Sequence, residues 1–187
     1  HACAYLVKRK KNDEYVARLL AAGGEVTLAE DDGDFYALTA HLESAEVVLD
    51  GLLGTGIKLP LKAEIAAVLE HSLFVLEEMD EPPYIIAVDC PSGVDCDSGE
   101  VALECIPADL TVTMAAVKQG LLKLPAFEFV GELALVDIGL PDDFASFYEL
   151  KTEVADDELV AGLLPERRLD SHKGTFGTAF VVAGSTS

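Results

Sequence analysis

Positive charge is scarce in this 187-residue chain: 13 Lys and Arg stand against 34 Asp and Glu, a formal net charge of −21. So negative a surface repels phosphodiester backbones and anionic headgroups, which argues against nucleic acid or an anionic membrane as partner. Its plain role is to keep the surface hydrated and soluble. Long apolar runs are missing too. No stretch reaches the ~18 residues that a membrane-spanning helix needs, and no secretory signal is visible at the start. The four cysteines, Cys3, Cys90, Cys96 and Cys105, lack the close paired spacing of a zinc site. They read as small buried hydrophobes of a reducing compartment, so a cytoplasmic protein is expected. Cys90 and Cys96 fall in a glycine-rich loop region, which leaves a functional role open to them. No internal repeat is present. An initiator Met is also missing, and the chain stops at Ala183-Gly-Ser-Thr-Ser187, just after a strand-like run. A helix ordinarily follows such a turn, so a piece of a longer protein is expected.

What is present is a substantial apolar fraction, 50% of residues, enough for one domain of ordinary size and part of another. Elements alternate along the chain. Residues 13–22 have helical spacing, an acidic start and a Gly23-Gly24 stop. Strand patterns follow at 25–29, 47–49, 84–88, 110–114, 133–136 and 179–182, with helices at 34–43 and 61–71. The continuous apolar run at 84–88 predicts a strand buried on both faces, and the alternation predicts a parallel sheet with helices on both sides. Two acidic stretches read differently: 76–83 as a solvated loop, 153–158 as part of a connection between domains.

The informative places are two strand ends. Asp50-Gly-Leu-Leu-Gly-Thr-Gly-Ile-Lys-Leu-Pro60 and Ile86-Ala-Val-Asp-Cys-Pro-Ser-Gly-Val-Asp-Cys-Asp-Ser-Gly99 each pass from an apolar run through a carboxylate into a turn rich in Gly, Ser or Pro. Open α/β sheets bind ligands at such carboxyl edges, so the two loops predict one small-molecule site of the nucleotide-handling kind. Gly54-Thr55-Gly56 ahead of a helix suits an anion, because glycine backbone approaches closely and the helix start presents free N–H groups. An ordinary tight turn explains the same tripeptide equally well. Lys58 either neutralises a phosphate or is a surface charge, and the same pair of readings applies to Lys118. Asp50 either stiffens its turn or offers oxygen to a hard cation or a ligand hydroxyl. Asp89, at the end of a buried strand, is expected to be partly desolvated and drawn towards proton-transfer chemistry, with Ser92 adding a hydroxyl oxygen. Asp95 and Asp97 are expected in the solvated part of the loop.

Taken together, these segments resemble the NAD(P)HX epimerases, also called the YjeF amino-terminal domain. The motifs that carry the resemblance are Val48-Leu-Asp-Gly-Leu-Leu-Gly-Thr-Gly-Ile-Lys-Leu-Pro-Leu61, Ala87-Val-Asp-Cys-Pro-Ser-Gly-Val-Asp-Cys-Asp-Ser-Gly99, Ala108-Asp-Leu-Thr-Val-Thr-Met114 with Lys118 and Gly120, and Val136-Asp-Ile-Gly-Leu-Pro141. Arg168-Leu-Asp-Ser-His-Lys-Gly-Thr-Phe-Gly177 with Val181-Val-Ala-Gly-Ser185 resembles the opening of the ribokinase-like, ADP- or ATP-dependent NAD(P)HX dehydratase. The resemblance implies a Rossmann-like three-layer α/β domain with a mainly parallel sheet over 1–150, a linker over 151–166, and the start of a ribokinase-like α/β domain over 167–187. It implies repair of hydrated nicotinamide cofactors: the first domain interconverts R- and S-NAD(P)HX, and the second dehydrates the S form with ADP or ATP. By that pattern Gly54, Thr55, Gly56, Ile57, Lys58, Leu59 and Pro60 cradle the nicotinamide nucleotide. Asp89 contacts it as the catalytic acid/base, and Asp50 and Ser92 ligate potassium. A homo-oligomer is among the family's habits.

The chain departs from the family at one place. Where the family carries Asn-Asn-Gly-Gly-Asp-Gly before its first helix, this chain has Lys8-Arg-Lys-Lys-Asn-Asp-Glu14. The glycines that let backbone wrap the ligand are gone, and only Asn12-Asp13 echo the motif. The rival reading is therefore a catalytically silent Rossmann-like module for ligand binding or protein interaction. Kinase activity would need more of the ribokinase-like segment than some twenty residues supply.

Overall fold

The computed structural model describes residues 1–8, 13–141, 149–164, 166, 169–172, 174–181 and 183. The chain divides into two compact units, residues 1–144 and 145–187.

The first unit is α/β and its sheets are parallel. Strand β1 (Cys3–Leu6) pairs with β2 (Glu25–Leu28), and helix α1 (Glu14–Ala21) connects them. Asp13 caps α1 by accepting the Tyr15 N–H at 2.8 Å, as an acidic N-cap should. Strand β1 was not expected from the sequence: it is only four residues long, and the ladder to β2 is what holds it extended. After helix α2 (Tyr36–Ser44) comes a second sheet of β3 (Val47–Asp50), β4 (Tyr84–Val88), β5 (Leu110–Met114) and β6 (Glu132–Val136), in that spatial order and parallel throughout. Parallel neighbours need a crossover. Helix α3 (Ala63–Glu77) supplies the one from β3 to β4, while β5 returns to β6 through a 3-10 turn, Gln119–Leu122, and the single-turn helix α4 (Phe127–Val130).

Helix α3 runs well past the expected end at 71 and takes the first residues of the supposed acidic loop. The reason is packing: Val68, Leu69, Ser72, Val75 and Leu76 continue one buried face at helical spacing, and the Glu77 and Glu78 charges simply point outward from its last turn. Leu38 and Leu42 of α2, that face of α3, and Ile85 and Ala87 of β4 form one core. A second core lies beneath the turn after β4, built from Cys90, Val94, Cys96, Cys105, Leu121, Ala126 and Val130.

The sheet is less enclosed than the apolar run of β4 suggested. Ile85 and Ala87 are buried, but Ile86 and Val88 on the opposite face are only half-buried, and Val47 and Leu49 of β3 are 52% and 67% exposed. A strand's two faces alternate, so an apolar residue at every position does not by itself secure two covers.

In the second unit, helix α5 (Asp157–Leu163) occupies part of the stretch expected as a linker. Its start is specified locally: Asp156 accepts the Leu159 N–H at 2.8 Å, and Asp157 and Glu158 place negative charge in the first turn. The strand expected at 179–182 is not formed over residues 179–181, and residue 182 lies outside the described residues. A β-branched run becomes a strand only when a neighbour completes its ladder, and no described residue pairs with this one.

Candidate functional site

Strands β3 and β4 are register neighbours, with Asp50 opposite Ala87, so the loops that leave their carboxyl ends start side by side. The link between them is a compact hydrogen-bond set. Asp50, the last residue of β3, is 7% exposed. Its Oδ2 accepts the Ser92 backbone N–H at 2.7 Å and its Oδ1 accepts the Ser92 hydroxyl at 2.5 Å. Ser92 Oγ in turn accepts the Leu53 N–H at 2.9 Å. Asp50 and Ser92, expected to share a task, do meet.

Burial pushes the Asp50 carboxyl above its ordinary value, and the hydrogen bonds from Ser92 and Leu52 oppose that rise without cancelling it. No cationic side chain among the described residues pairs with this buried carboxylate. Counted by lone pairs, Asp50 Oδ2 and Ser92 Oγ each retain one acceptor site. These two oxygens, one of them on the buried carboxylate itself, are hard donors of the kind a hard cation takes, so the residues present fit potassium as two of the several ligands it would need.

Asp89 stands one residue past β4 in the left-handed region, with φ 73°, and Ala115, one residue past β5, has φ 62°. Side chains other than glycine adopt that conformation at a cost of about 1 kcal/mol or more, and the surrounding bonds hold it here. The Asp89 N–H donates to Val112 O at 2.8 Å. Its Oδ1 accepts the Met114 N–H at 3.1 Å and is ion-paired with the Lys118 ammonium. Lys118 also donates to Thr113 Oγ1 at 3.0 Å and to Met114 O at 2.8 Å.

Asp89 is 22% exposed, partly desolvated as expected, and its charge is met by a lysine. One expectation is corrected. Lys118 is neither a surface charge nor a cation turned towards a ligand, because its three donors are all spent on the β5 end and on Asp89. Asp89 Oδ2 takes no hydrogen bond from the described residues, so one oxygen is anchored and the other is available. The role of buried Thr113 was missed. Its signal was the alternation Thr111, Thr113 in a strand that also carries the motif.

The loop after β3 is of another kind. Gly54, Thr55, Gly56, Lys58 and Pro60 are exposed, Ile57 and Leu59 are half-buried, and the Leu59–Pro60 bond is cis. Helix α3 follows with Lys62 at its N-cap and no side-chain cap. That leaves early N–H groups without a capping side chain, the state an anion site requires. No hydrogen bond joins these seven residues to Asp89 among the described residues. Asp97 is exposed as expected. Asp95 is half-buried and closes its own turn, accepting N–H groups from Asp97 at 2.9 Å and Ser98 at 2.8 Å, which holds its carboxyl below the usual range. Of the departing loop, Lys8 is described and pairs with Glu64 in the first turn of α3; residues 9–12 lie outside the described residues.

The chain is similar to known proteins. Residues 5–120 match the family described as YjeF-related protein N-terminus. A bifunctional NAD(P)H-hydrate repair enzyme Nnr of Coxiella burnetii is 36% identical over 143 residues, 76% of this chain and 28% of that protein. The Nnr enzyme of Vibrio cholerae is 36% identical over 154 residues, 82% of this chain and 30% of the relative. That of Pyrobaculum aerophilum is 38% identical over 174 residues, 93% of this chain and 32% of its own length. The chain thus spans less than a third of the length of these curated relatives. The crystal structure of yeast ynu0 superposes with a TM-score of 0.57 at 20% identity, covering 79% of this chain and 59% of the yeast chain, which supports the α/β fold.

Proposed function

Because this chain belongs to the YjeF-related protein N-terminus family, we propose that it is the epimerase portion of a bifunctional NAD(P)H-hydrate repair enzyme. In that reading residues 1–150 interconvert R- and S-NAD(P)HX, 151–166 connect, and 167–187 open a dehydratase that uses ADP or ATP. A cytoplasmic location belongs to the same proposal. Among the described residues no helix is long and apolar enough to cross a membrane.

The observation that carries it is the asymmetric fixing of Asp89. Epimerising a hydroxylated carbon requires a bond at that carbon to break and re-form from the other face, with a proton moved on and off the oxygen. Lys118 and the Met114 N–H fix Oδ1, which sets the plane of the carboxylate and leaves Oδ2 as the atom that carries the proton. Lys118 is then a positioning residue that acts through Asp89. The exposed backbone of Gly54, Thr55 and Gly56, with Ile57, Lys58, Leu59 and Pro60, receives the nucleotide's phosphates at the start of α3. Asp50 and Ser92 would hold potassium, whose charge would compensate the buried carboxylate and stiffen the root shared by the two loops.

The test is Asp89→Asn in the complete protein, with the two hydrate epimers resolved by chromatography. Loss of a general acid/base lowers turnover by about 10²–10⁴-fold, and circular dichroism should show the fold intact. Retained turnover would sink the assignment.

The rival, a catalytically silent module, draws support from the Lys8-Arg-Lys-Lys-Asn-Asp-Glu14 segment that stands where glycines are expected. Potassium together with a nicotinamide nucleotide separates the epimerase from the protein-interaction form of the rival, and the turnover assay above separates it from a ligand-binding form. A rise in melting temperature supports a working ligand site, since a ligand bound only by the folded state stabilises it, and no rise supports the protein-interaction form.

A further inference from the structure

A cluster of metal-ligating side chains stands apart from the site already described, at the amino edge of the β1–β2 pair. The ladder sets Cys3, the first residue of β1, opposite Glu25, the first residue of β2. The Glu25 N–H donates to Ala2 O at 2.9 Å, which fixes the two segments against each other at that point. Residues two apart along an extended segment share a face. His1 stands two before Cys3, and the fold brings His1, Cys3 and Glu25 together there. His1 Nε2 lies 3.2 Å from Glu25 Oε1, and the imidazole nitrogen, the sulfur and the carboxylate oxygen all lie within 4.8 Å of one another.

A surface ion pair accounts for His1 and Glu25 alone and gives no reason for a thiol beside both. Zinc gives one: imidazole nitrogen, thiolate sulfur and carboxylate oxygen are the three donor types it takes, at about 2.0–2.3 Å. Around a tetrahedral ion such bonds hold the donors roughly 3.3–3.7 Å apart. The His1–Glu25 separation is already close to that, and the sulfur, on an exposed side chain, has to move by about 1 Å at most. Calcium and magnesium call for oxygen donors and would leave the sulfur and the imidazole unused. A thiolate and a carboxylate together also match the ion's double positive charge.

We propose that His1, Cys3 and Glu25 form a zinc site, with the fourth position left to water. His1 Nε2, Cys3 Sγ and one Glu25 carboxylate oxygen each give a lone pair to the ion, and the thiol proton passes to solvent. The bound ion ties β1 to β2 at the edge where their ladder begins. That ladder spans four residues on each strand, and so short a two-stranded sheet has little stability of its own. A metal bound only by the folded arrangement holds it together. Close cysteine spacing does not announce the site, because its third ligand comes from the neighbouring strand and only the register puts it there.

The inference goes beyond the proposed epimerase, and its test needs no turnover. The full chain, purified without an affinity tag, is stripped with a chelator and titrated with zinc by calorimetry, then with cobalt(II) as a coloured stand-in. The expected result is one zinc per chain, a sulfur-to-cobalt charge-transfer band beside the visible bands of a tetrahedral site, and a melting temperature raised by zinc and not by magnesium. Cys3→Ser should abolish the charge-transfer band and weaken zinc binding by about 100-fold. Glu25→Gln should weaken zinc binding by about 10-fold and keep the band. Both side chains are exposed, so the fold should survive either change, with circular dichroism as the check. A band that persists in Cys3→Ser places the metal on another cysteine and overturns the site. Half a zinc per chain, one ion held between two copies, overturns it as well, and so does a zinc isotherm no tighter than that of Cys3→Ser.

Discussion

The loops that leave β3 and β4 start as neighbours and end as opposites. The first, residues 51–62, is glycine-rich and open: a Cβ added at Gly56 meets nothing within 4 Å. The second, residues 89–99, is packed and braced. Cys90, Pro91, Ser92, Gly93 and Val94 are all buried, and the Val94 N–H closes a turn on Pro91 O at 3.0 Å. One hydrogen bond, from the Leu53 N–H to Ser92 Oγ, ties the root of the open loop to the braced one. Under the proposed function the difference separates two tasks. A surface that must meet an anion needs bare backbone and space, whereas a carboxylate that must move a proton needs a fixed plane.

The sharpest way to break the comparison is on the braced side. Gly120→Ala would set a methyl group against Asp95 O at 2.4 Å and against the Cys96 backbone at 2.5 Å, where neither neighbour is a flexible side chain. The expected loss is about 3 kcal/mol, near the upper end for overpacking, read as a lower urea midpoint; an unchanged midpoint would show that this limb has slack after all. Next comes Ser92→Ala. It deprives Asp50 of a donor and Leu53 of an acceptor in a buried place, for an expected loss of about 2 kcal/mol. A loss below half that, by the same titration, would mean that water replaces the hydroxyl. On the open side Gly56→Ala meets no atom, but its φ of +80° strains any side chain. About 1 kcal/mol is expected, together with weaker nucleotide binding by calorimetry, and a cost equal to that of Gly120→Ala would erase the distinction between the loops.

The smallest effect concerns the root. Burial raises the Asp50 carboxyl, so between its ordinary value and its folded value the native state holds more proton than the unfolded chain. Stability is then fullest at pH below the ordinary carboxylate range and declines as pH rises through the folded value. Potassium should flatten that decline by compensating the charge, and Asp50→Asn should abolish it. A wild-type profile that rises over the same window would contradict the assignment.

Much of this was legible in the residues. Asp50, Asp89 and Ser92 were recognisable because a carboxylate at the end of an apolar run, followed by Gly, Pro or Ser, marks a strand's carboxyl edge, and local rules govern each step of that pattern. The helix within 151–166 and the last strand were not legible in the same way. Asp156 makes a cap from a stretch that composition reads as part of a connection between domains, and residues 179–181 have the composition of a strand without a ladder. The length of α3 was also underread, since its final turn is held by Val75 and Leu76 against the core and not by any signal near residue 71.

By itself, then, the sequence determined the parallel α/β character and the two loops at the sheet edge, because hydrophobic period and turn chemistry are properties of neighbouring residues. Only the tertiary structure decided what Lys118 does. Twenty-nine positions separate it from Asp89, and whether a lysine that far along serves solvent, a phosphate or a carboxylate depends on which strand ends the fold brings together. Parallel pairing of β4 and β5 put Val88 opposite Val112, and from that register the ammonium falls on Asp89 Oδ1, leaving the other oxygen without a hydrogen bond from the described residues.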